Sequence, residues 1–376
     1  MNCDVFFVNA ANDCAFVPFC FLAILFFLTK KFFFVRSFSR AATIGARQMS
    51  SREYLSFHTA RRADDEEEES SETFSEGENT SSEPQLKILN GSTPLPQNDS
   101  DKSICLGYCG NKGVFPLLLL SVLSVLEYNS RPISLYLITM DMIELNEKFV
   151  PFSENQRAIL ERELKRVNPR NKVTVCRMEE EYRAHLLGGK NENGFYTPYA
   201  QLRLLFDLIP ALPDKLLYLD TDVMCTADLS ALWDTDVSEY QFGAVRDAGM
   251  HFIRPNYFNS GVMLINLKKI RRTGCFIRVR ERVKNRRMIM PDQSALNDLV
   301  KNRLFLPRKF NEQRGLREDT ALKHFCRGVK WYGPIPIIYN YKQSDREKVH
   351  KKLKTDVFDA VYEKYDEIVK TNDILF

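Results

Sequence analysis

An apolar run, residues 216–219, ends abruptly in Asp220-Thr221-Asp222. On a strand these two carboxylates project to the same side, because side chains alternate with a period of two. Like charges so placed repel and raise each other's pKa. Water relieves that repulsion, and so does a divalent cation bound between them. Carboxylate oxygens are hard ligands suited to Mn²⁺ or Mg²⁺. An ion held there can neutralise a departing diphosphate. Solvated loop aspartates are the plain alternative, so the surrounding elements decide.

Those elements alternate between strand and helix. Residues 104–108 (ICLGY) are a short strand, and the apolar stretch 113–128 is a buried helix. Residues 133–139 (ISLYLIT) are a second strand. Residues 153–167 form an amphipathic helix with Ser153 as N-cap. Residues 172–177 are a third strand, residues 199–209 a helix stopped by Pro210, and residues 215–219 a fourth strand. This alternation, with near-continuous apolar strands, predicts an α/β fold with a parallel, doubly wound sheet. Ligands of such sheets bind beyond the carboxyl ends of the strands. Asp220 and Asp222 fall at that place.

The chain has 376 residues and a net charge of +4, too small for a nucleic-acid surface. The charge is uneven. Residues 64–69 read DDEEEE inside a Glu-, Ser- and Thr-rich stretch, which predicts a disordered stem over 49–102. Nine cysteines include no C-x-x-C pair, which argues against structural zinc. The six from Cys105 onward are either disulfides or buried thiols. Residues 15–28 are apolar, but a membrane span needs about 17–25 residues. Residues 1–48 therefore read as a signal segment or short membrane anchor with a basic flank. Lys30, Lys31, Arg36 and Arg40 follow the apolar run, which by the positive-inside rule puts the remainder in the cytosol. N-x-S acceptors at Asn79, Asn90 and Asn98 point instead to a luminal, glycosylated stem. The layout of anchor, stem and a folded domain over 103–376 resembles secretory-pathway enzymes. That implies a single-pass type II protein of the ER or Golgi membrane with a luminal catalytic domain, although the flanking charges oppose this orientation.

Two chemistries use D-x-D at a strand end. LLYLDTDV is locally similar to the signature of haloacid dehalogenase-type phosphatases. In those enzymes the motif lies on the first strand of its domain, whereas here three strands precede it. Further blocks follow in order: AVRD (244–247), YFNSGVMLINLKKIR (257–271), DQSALN (292–297) and KHFCRGVKW (323–331). With DKLLYLDTDVMCTADLSALWDTD (214–236), they make the chain resemble glycosyltransferase family 8 from about residue 103 to 335. The resemblance implies a GT-A-type nucleotide-sugar transferase fold with a mostly parallel, Rossmann-like sheet. It also implies retaining transfer from a UDP-sugar with Mn²⁺, or Mg²⁺ as the alternative ion.

Residue by residue, the resemblance makes Asp220, Asp222 and His324 the metal ligands; an imidazole suits Mn²⁺ better than Mg²⁺. Lys330 would contact the diphosphate. Asn111, Arg203 and Thr221 would contact the donor, Asn111 near its base. Asp247, Asn259, Ser260 and Gly261 would line the sugar pocket. Asp292 and Gln293 would be the catalytic pair beside the anomeric carbon. The chain departs from the family pattern at Cys109, where Asp is common, and at Ser294, where a second Asp usually completes D-Q-D. It departs again at Arg327, which takes a Gly place, and at Trp331, which follows Lys330 directly. The expected activity moves a hexose or pentose to an acceptor hydroxyl on a glycan, glycoprotein or glycolipid. The alternative is an inactive relative that binds a glycan or partner. The basic run 342–354 reads as a solvated face.

Overall fold

The structure is a computed structural model. It describes residues 103–372 except 193, 195, 251–253 and 333–334, and it leaves the side chains of 329–338 undescribed. The anticipated anchor, stem and glycosylation acceptors lie outside the described residues. Among the described residues no helix is long and apolar enough to cross a membrane.

The chain opens with β1 (Ile104–Cys109), followed by α1 (Phe115–Tyr128), β2 (Ile133–Thr139), α2 (Glu154–Val167) and β3 (Lys172–Arg177). Next come α3 (Glu179–His185), a 3₁₀ segment (Pro198–Leu208), β4 (Lys215–Leu219), β5 (Val223–Cys225) and α4 (Ser230–Trp233). Then β6 (Phe242–Arg246), β7 (Phe258–Asn266), α5 (Leu267–Thr273), α6 (Cys275–Asn285), α7 (Pro291–Leu299) and β8 (Arg303–Phe305) follow. The last elements are β9 (Leu322–His324), β10 (Gly328–Tyr332), β11 (Ile335–Tyr339), α8 (Arg346–Leu353) and α9 (Asp359–Asn372).

Seven strands form the central sheet in the order β3-β2-β1-β4-β7-β6-β8. β3, β2, β1 and β4 are mutually parallel, and β7 alone runs antiparallel, between β4 and β6. The sheet is therefore mixed rather than wholly parallel. The first βαβ units follow the sequence reading; β7 departs from it because it enters beside β4 from the opposite end. β4 and β7 are almost entirely buried, consistent with apolar runs covered on both faces.

Two local features explain much of the framework. Ten of the fourteen residues of α1 are buried, which is why its sequence is apolar all round. α2 begins in a capping box: the Ser153 hydroxyl accepts from Gln156 N (3.2 Å), and Gln156 Oε1 accepts from Ser153 N (3.0 Å). The helix anticipated over 199–209 is instead a 3₁₀ segment. Its Ala200 carbonyl accepts from the Arg203 guanidinium (2.9 Å), a three-residue closure made by a side chain that points into the site. All six cysteines from Cys105 onward are free, and all but Cys326 are buried.

Candidate active site

Asp220 follows the last residue of β4. Its N–H donates to Gly261 O in β7 (2.8 Å), and its carbonyl accepts from Val223 N (3.1 Å). The two aspartates are thus set by a turn, not by strand alternation. Beyond the turn, β5 pairs antiparallel with β9, with Val223 opposite His324. This short ribbon carries the imidazole to the carboxylates. Ligand atoms of Asp220, Asp222 and His324 lie within 4.8 Å of one another. His324 Nε2 is 3.1 Å from Asp222 Oδ1 and 3.8 Å from Asp220 Oδ2.

Each of these three candidate ligands is oriented by a partner. The Arg203 guanidinium (2.8 Å) and the Tyr218 hydroxyl (2.5 Å) hold Asp220 Oδ1, leaving Oδ2 toward His324. Asn311 Oδ1 lies 3.1 Å from His324 Nδ1, which aims Nε2 at the carboxylates. The same Asn311 donates to Asn259 Oδ1 (2.9 Å). Lys342 Nζ lies 2.5 Å from Asp222 Oδ2. Burial alone would lower the His324 pKa, but the negative charge of Cys326 and Asp222 lifts it to about 10. Burial would raise the Asp222 carboxyl, yet His324 and Lys342 pull it well below the carboxylate range. Two carboxylates and an imidazole that must lose a proton to ligate form an O,O,N set suited to a divalent transition ion.

Beside this cluster lies a second network. Gln293 Oε1 accepts from Ser260 N (3.1 Å) and Ser260 Oγ (3.3 Å). Its amide nitrogen donates to Asp247 Oδ2 (3.2 Å), which also accepts from Asn259 Nδ2 (3.3 Å). Asp247 Oδ1 accepts from the N–H groups of Gly249 and Met250. Gln293 and Asp292 stand in the first turn of α7, and burial raises the Asp292 pKa against the pull of Arg203. Arg203 itself is buried, donating to Asp220 and to Ser260 O (2.7 Å), with Asp292 Oδ2 3.2 Å away. Its guanidinium thus braces Asp220 against Asp292.

The remaining anticipated residues are more scattered. Asn111 Nδ2 donates to Lys148 O (2.9 Å), tying the strand-end turn to a neighbouring loop. The Thr221 carbonyl accepts from Gln343 (2.7 Å). Lys330 sits in β10 opposite Ile337, and its side chain is undescribed. At the departures, the Cys109 thiol is buried and its pKa pushed far up by desolvation, and the Ser294 hydroxyl pairs with Tyr257 OH (3.0 Å). Sequence reasoning missed Tyr218, Asn311 and Gln343, which carry no motif signal. It also placed Lys342 on a solvated face, whereas that ammonium reaches a ligand carboxylate.

The structure is an α/β protein whose mostly parallel sheet carries an acidic, His-containing cluster beyond its strand ends, where ligands of such sheets commonly bind. A family model described as "Glycosyl transferase family 8" matches residues 105–331, more than half of the chain, and the protein belongs to that family. Relatives include general stress protein A of Bacillus subtilis, 28% identical over 148 residues (31% of this chain, 52% of that protein). The lipopolysaccharide 1,2-glucosyltransferase of Escherichia coli is 33% identical over 170 residues (36% and 50%). The chain thus spans about half the length of these curated relatives. Among solved structures, an active-site mutant of LgtC superposes with a TM-score of 0.50 at 20% identity, covering 71% of this chain and 96% of that one. That likeness concerns the fold.

Proposed function

We propose that this protein is a metal-dependent, retaining glycosyltransferase that moves a hexose or pentose from a UDP-sugar to a hydroxyl of a glycan, glycoprotein or glycolipid. The carrying observation is the convergence of Asp220, Asp222 and His324 within 4.8 Å beside the Asp247–Gln293 network. Asp220 Oδ2, Asp222 and His324 Nε2 would hold Mn²⁺, or Mg²⁺. When bound, the ion supplies Lewis-acid neutralisation of the diphosphate.

The protein's own groups do the rest. Asp247 and Asn259 offer oxygen and amide groups to sugar hydroxyls. Gly261 leaves room for His324 beside Asp220, and Ser260 ties Gln293 to Arg203 at the pocket wall. Asp292, kept buried on Arg203, fixes the start of α7 and so the place of Gln293. Gln293 Oε1 already accepts two hydrogen bonds from Ser260. Those bonds lower its nucleophilicity and favour a front-face route, in which a leaving-phosphate oxygen takes the acceptor's proton. Gln293 then stabilises positive charge at the anomeric carbon. Asn111, Thr221 and Lys330 complete the donor contacts in this reading.

The full chain is expected to hydrolyse or transfer from a UDP-sugar only with Mn²⁺ or Mg²⁺. Activity that survives in Asp222→Asn would sink the metal assignment. Tight Mn²⁺–UDP binding without turnover on any donor would favour the inactive, glycan-binding alternative motivated by Cys109, Ser294 and Arg327. For location we propose the ER or Golgi membrane, with 1–48 as anchor or signal and the domain luminal. A mobility shift on deglycosylation supports it, and a cytosolic, unglycosylated product overturns it.

A further inference from the structure

Residues 341–343 lie far from the D-x-D turn in sequence and against it in space. The Gln343 side chain is fully buried and donates to Thr221 O (2.7 Å) and Leu117 O (3.3 Å). The Gln343 main-chain carbonyl accepts from Tyr362 OH (2.7 Å). On the other side, the Tyr341 ring meets Phe325 edge-on, with centroids 5.7 Å apart. Between these two anchors Lys342 projects to Asp222 Oδ2 and to Phe325 O (3.1 Å). Its backbone is clamped from both sides, yet its side chain remains 36% exposed. A lysine ammonium on a four-carbon stem can move while its backbone stays fixed.

We infer that Lys342 is a charge-exchange residue: its ammonium neutralises Asp222 when no divalent ion is bound, and turns to the nucleotide's diphosphate when one is. The inference rests on the proposed metal and UDP-sugar reading. Asp222 carries the His324 imidazole on one oxygen and the Lys342 ammonium on the other, so each of its oxygens already has a nitrogen partner. A divalent ion arriving at that carboxylate meets the ammonium as a like charge. A diphosphate arriving with the ion gives the ammonium a new anionic partner within its reach. Ion and nucleotide therefore bind cooperatively, each relieving what hinders the other, and linkage requires the coupling to be reciprocal. Lys330 was the lysine expected at the diphosphate from sequence; Lys342 is a second, supplied by the segment after β11.

The test follows Mn²⁺ by electron paramagnetic resonance and UDP by calorimetry, using the full chain and the variants Lys342→Met, Lys342→Arg and Asp222→Asn. Lys342→Met is expected to bind Mn²⁺ alone about fivefold or more tighter than wild type, and UDP at saturating Mn²⁺ about fivefold or more weaker. Lys342→Arg keeps the charge and the wild-type pattern. Opposite shifts of the two ligands cannot come from partial unfolding, which weakens both. Unchanged affinities, or a parallel loss of both, overturn the inference while leaving the metal site intact if Asp222→Asn still abolishes Mn²⁺ binding. Wild-type protein that fails to bind Mn²⁺ with or without UDP overturns the metal reading and this inference with it.

Discussion

Gly261 leaves the space that His324 fills. A Cβ at this position would lie 2.1 Å from His324 Cε1 and 2.9 Å from Asp220 Oδ2, distances no packed side chains adopt. The glycine is required by a close approach, not by an unusual backbone angle. Gly261→Ala must push the imidazole off the carboxylates. Overpacking of this kind costs about 1–3 kcal/mol. We expect a lowered melting temperature together with lost Mn²⁺ binding. A variant that melts lower but binds Mn²⁺ normally would show that His324 is not a ligand.

Arg203 braces Asp220 and Asp292 from a position only 5% exposed. Removing one partner of such a buried cluster typically costs about 3–5 kcal/mol, because the remaining charges stay buried without it. Arg203→Ala should therefore be severely destabilised. Arg203→Lys should recover little, since a single ammonium cannot reproduce the fork that reaches Asp220, Asp292 and Ser260 together. Denaturant melts check this. Wild-type stability with a raised KM for donor would instead make Arg203 a donor contact alone.

Asn311 acts on the centre through His324. Loss of a residue that orients a ligand imidazole commonly costs about 10–100-fold in metal affinity. Asn311→Ala should show that loss in a Mn²⁺ titration, and Asn311→Asp, which keeps an acceptor for Nδ1, should recover part of it. Equal losses in both variants would argue that Asn311 serves only to hold Asn259.

Neighbouring residues of β9 respond to pH in opposite senses. His324 is raised from 6.5 to about 10 on folding, against its burial, by the charge of Cys326 and Asp222. Its contribution to stability is complete below pH 6.5 and is lost as pH rises through about 10. Burial lowers Lys323 from 10.5 to about 8. The folded state is penalised for keeping that proton below pH 8, and the penalty fades as pH climbs toward 10.5. In metal-free protein, the deficit of His324→Gln relative to wild type should shrink from pH 7 to 10. Any advantage of Lys323→Met over wild type should shrink from pH 8 to 10.5. Urea midpoints in chelator at these pH values test both. Differences that stay flat with pH would contradict the assignments.

How much of this was legible depended on the range over which each interaction acts. The Ser153 N-cap and β1 to β4 were readable because caps and apolar periodicity are local. The gathering of Asp220, Asp222 and His324 was readable only through resemblance. The physical cause, β5 pairing with β9, leaves no trace in either three-residue strand. The period-two argument for the aspartates reached a correct adjacency by the wrong route, since a turn sets it. Lys342 was misread because a basic run looks the same whether its first member faces water or a carboxylate. That Arg203 also braces Asp220 was not readable, because the brace depends on Asp292, which is brought near only by the fold.

The β5–β9 ribbon has a further consequence, for the order of assembly. Residues 220–222, 311, 324 and 342 must all arrive before the cluster is whole, and the intervening loops are long, so closing them is slow relative to local helix formation. During synthesis the early βαβ units can pack while the acidic turn still lacks its imidazole. The centre is thus among the last parts to form, and an ion of the kind proposed, binding only the completed site, would act as a latch on the finished protein.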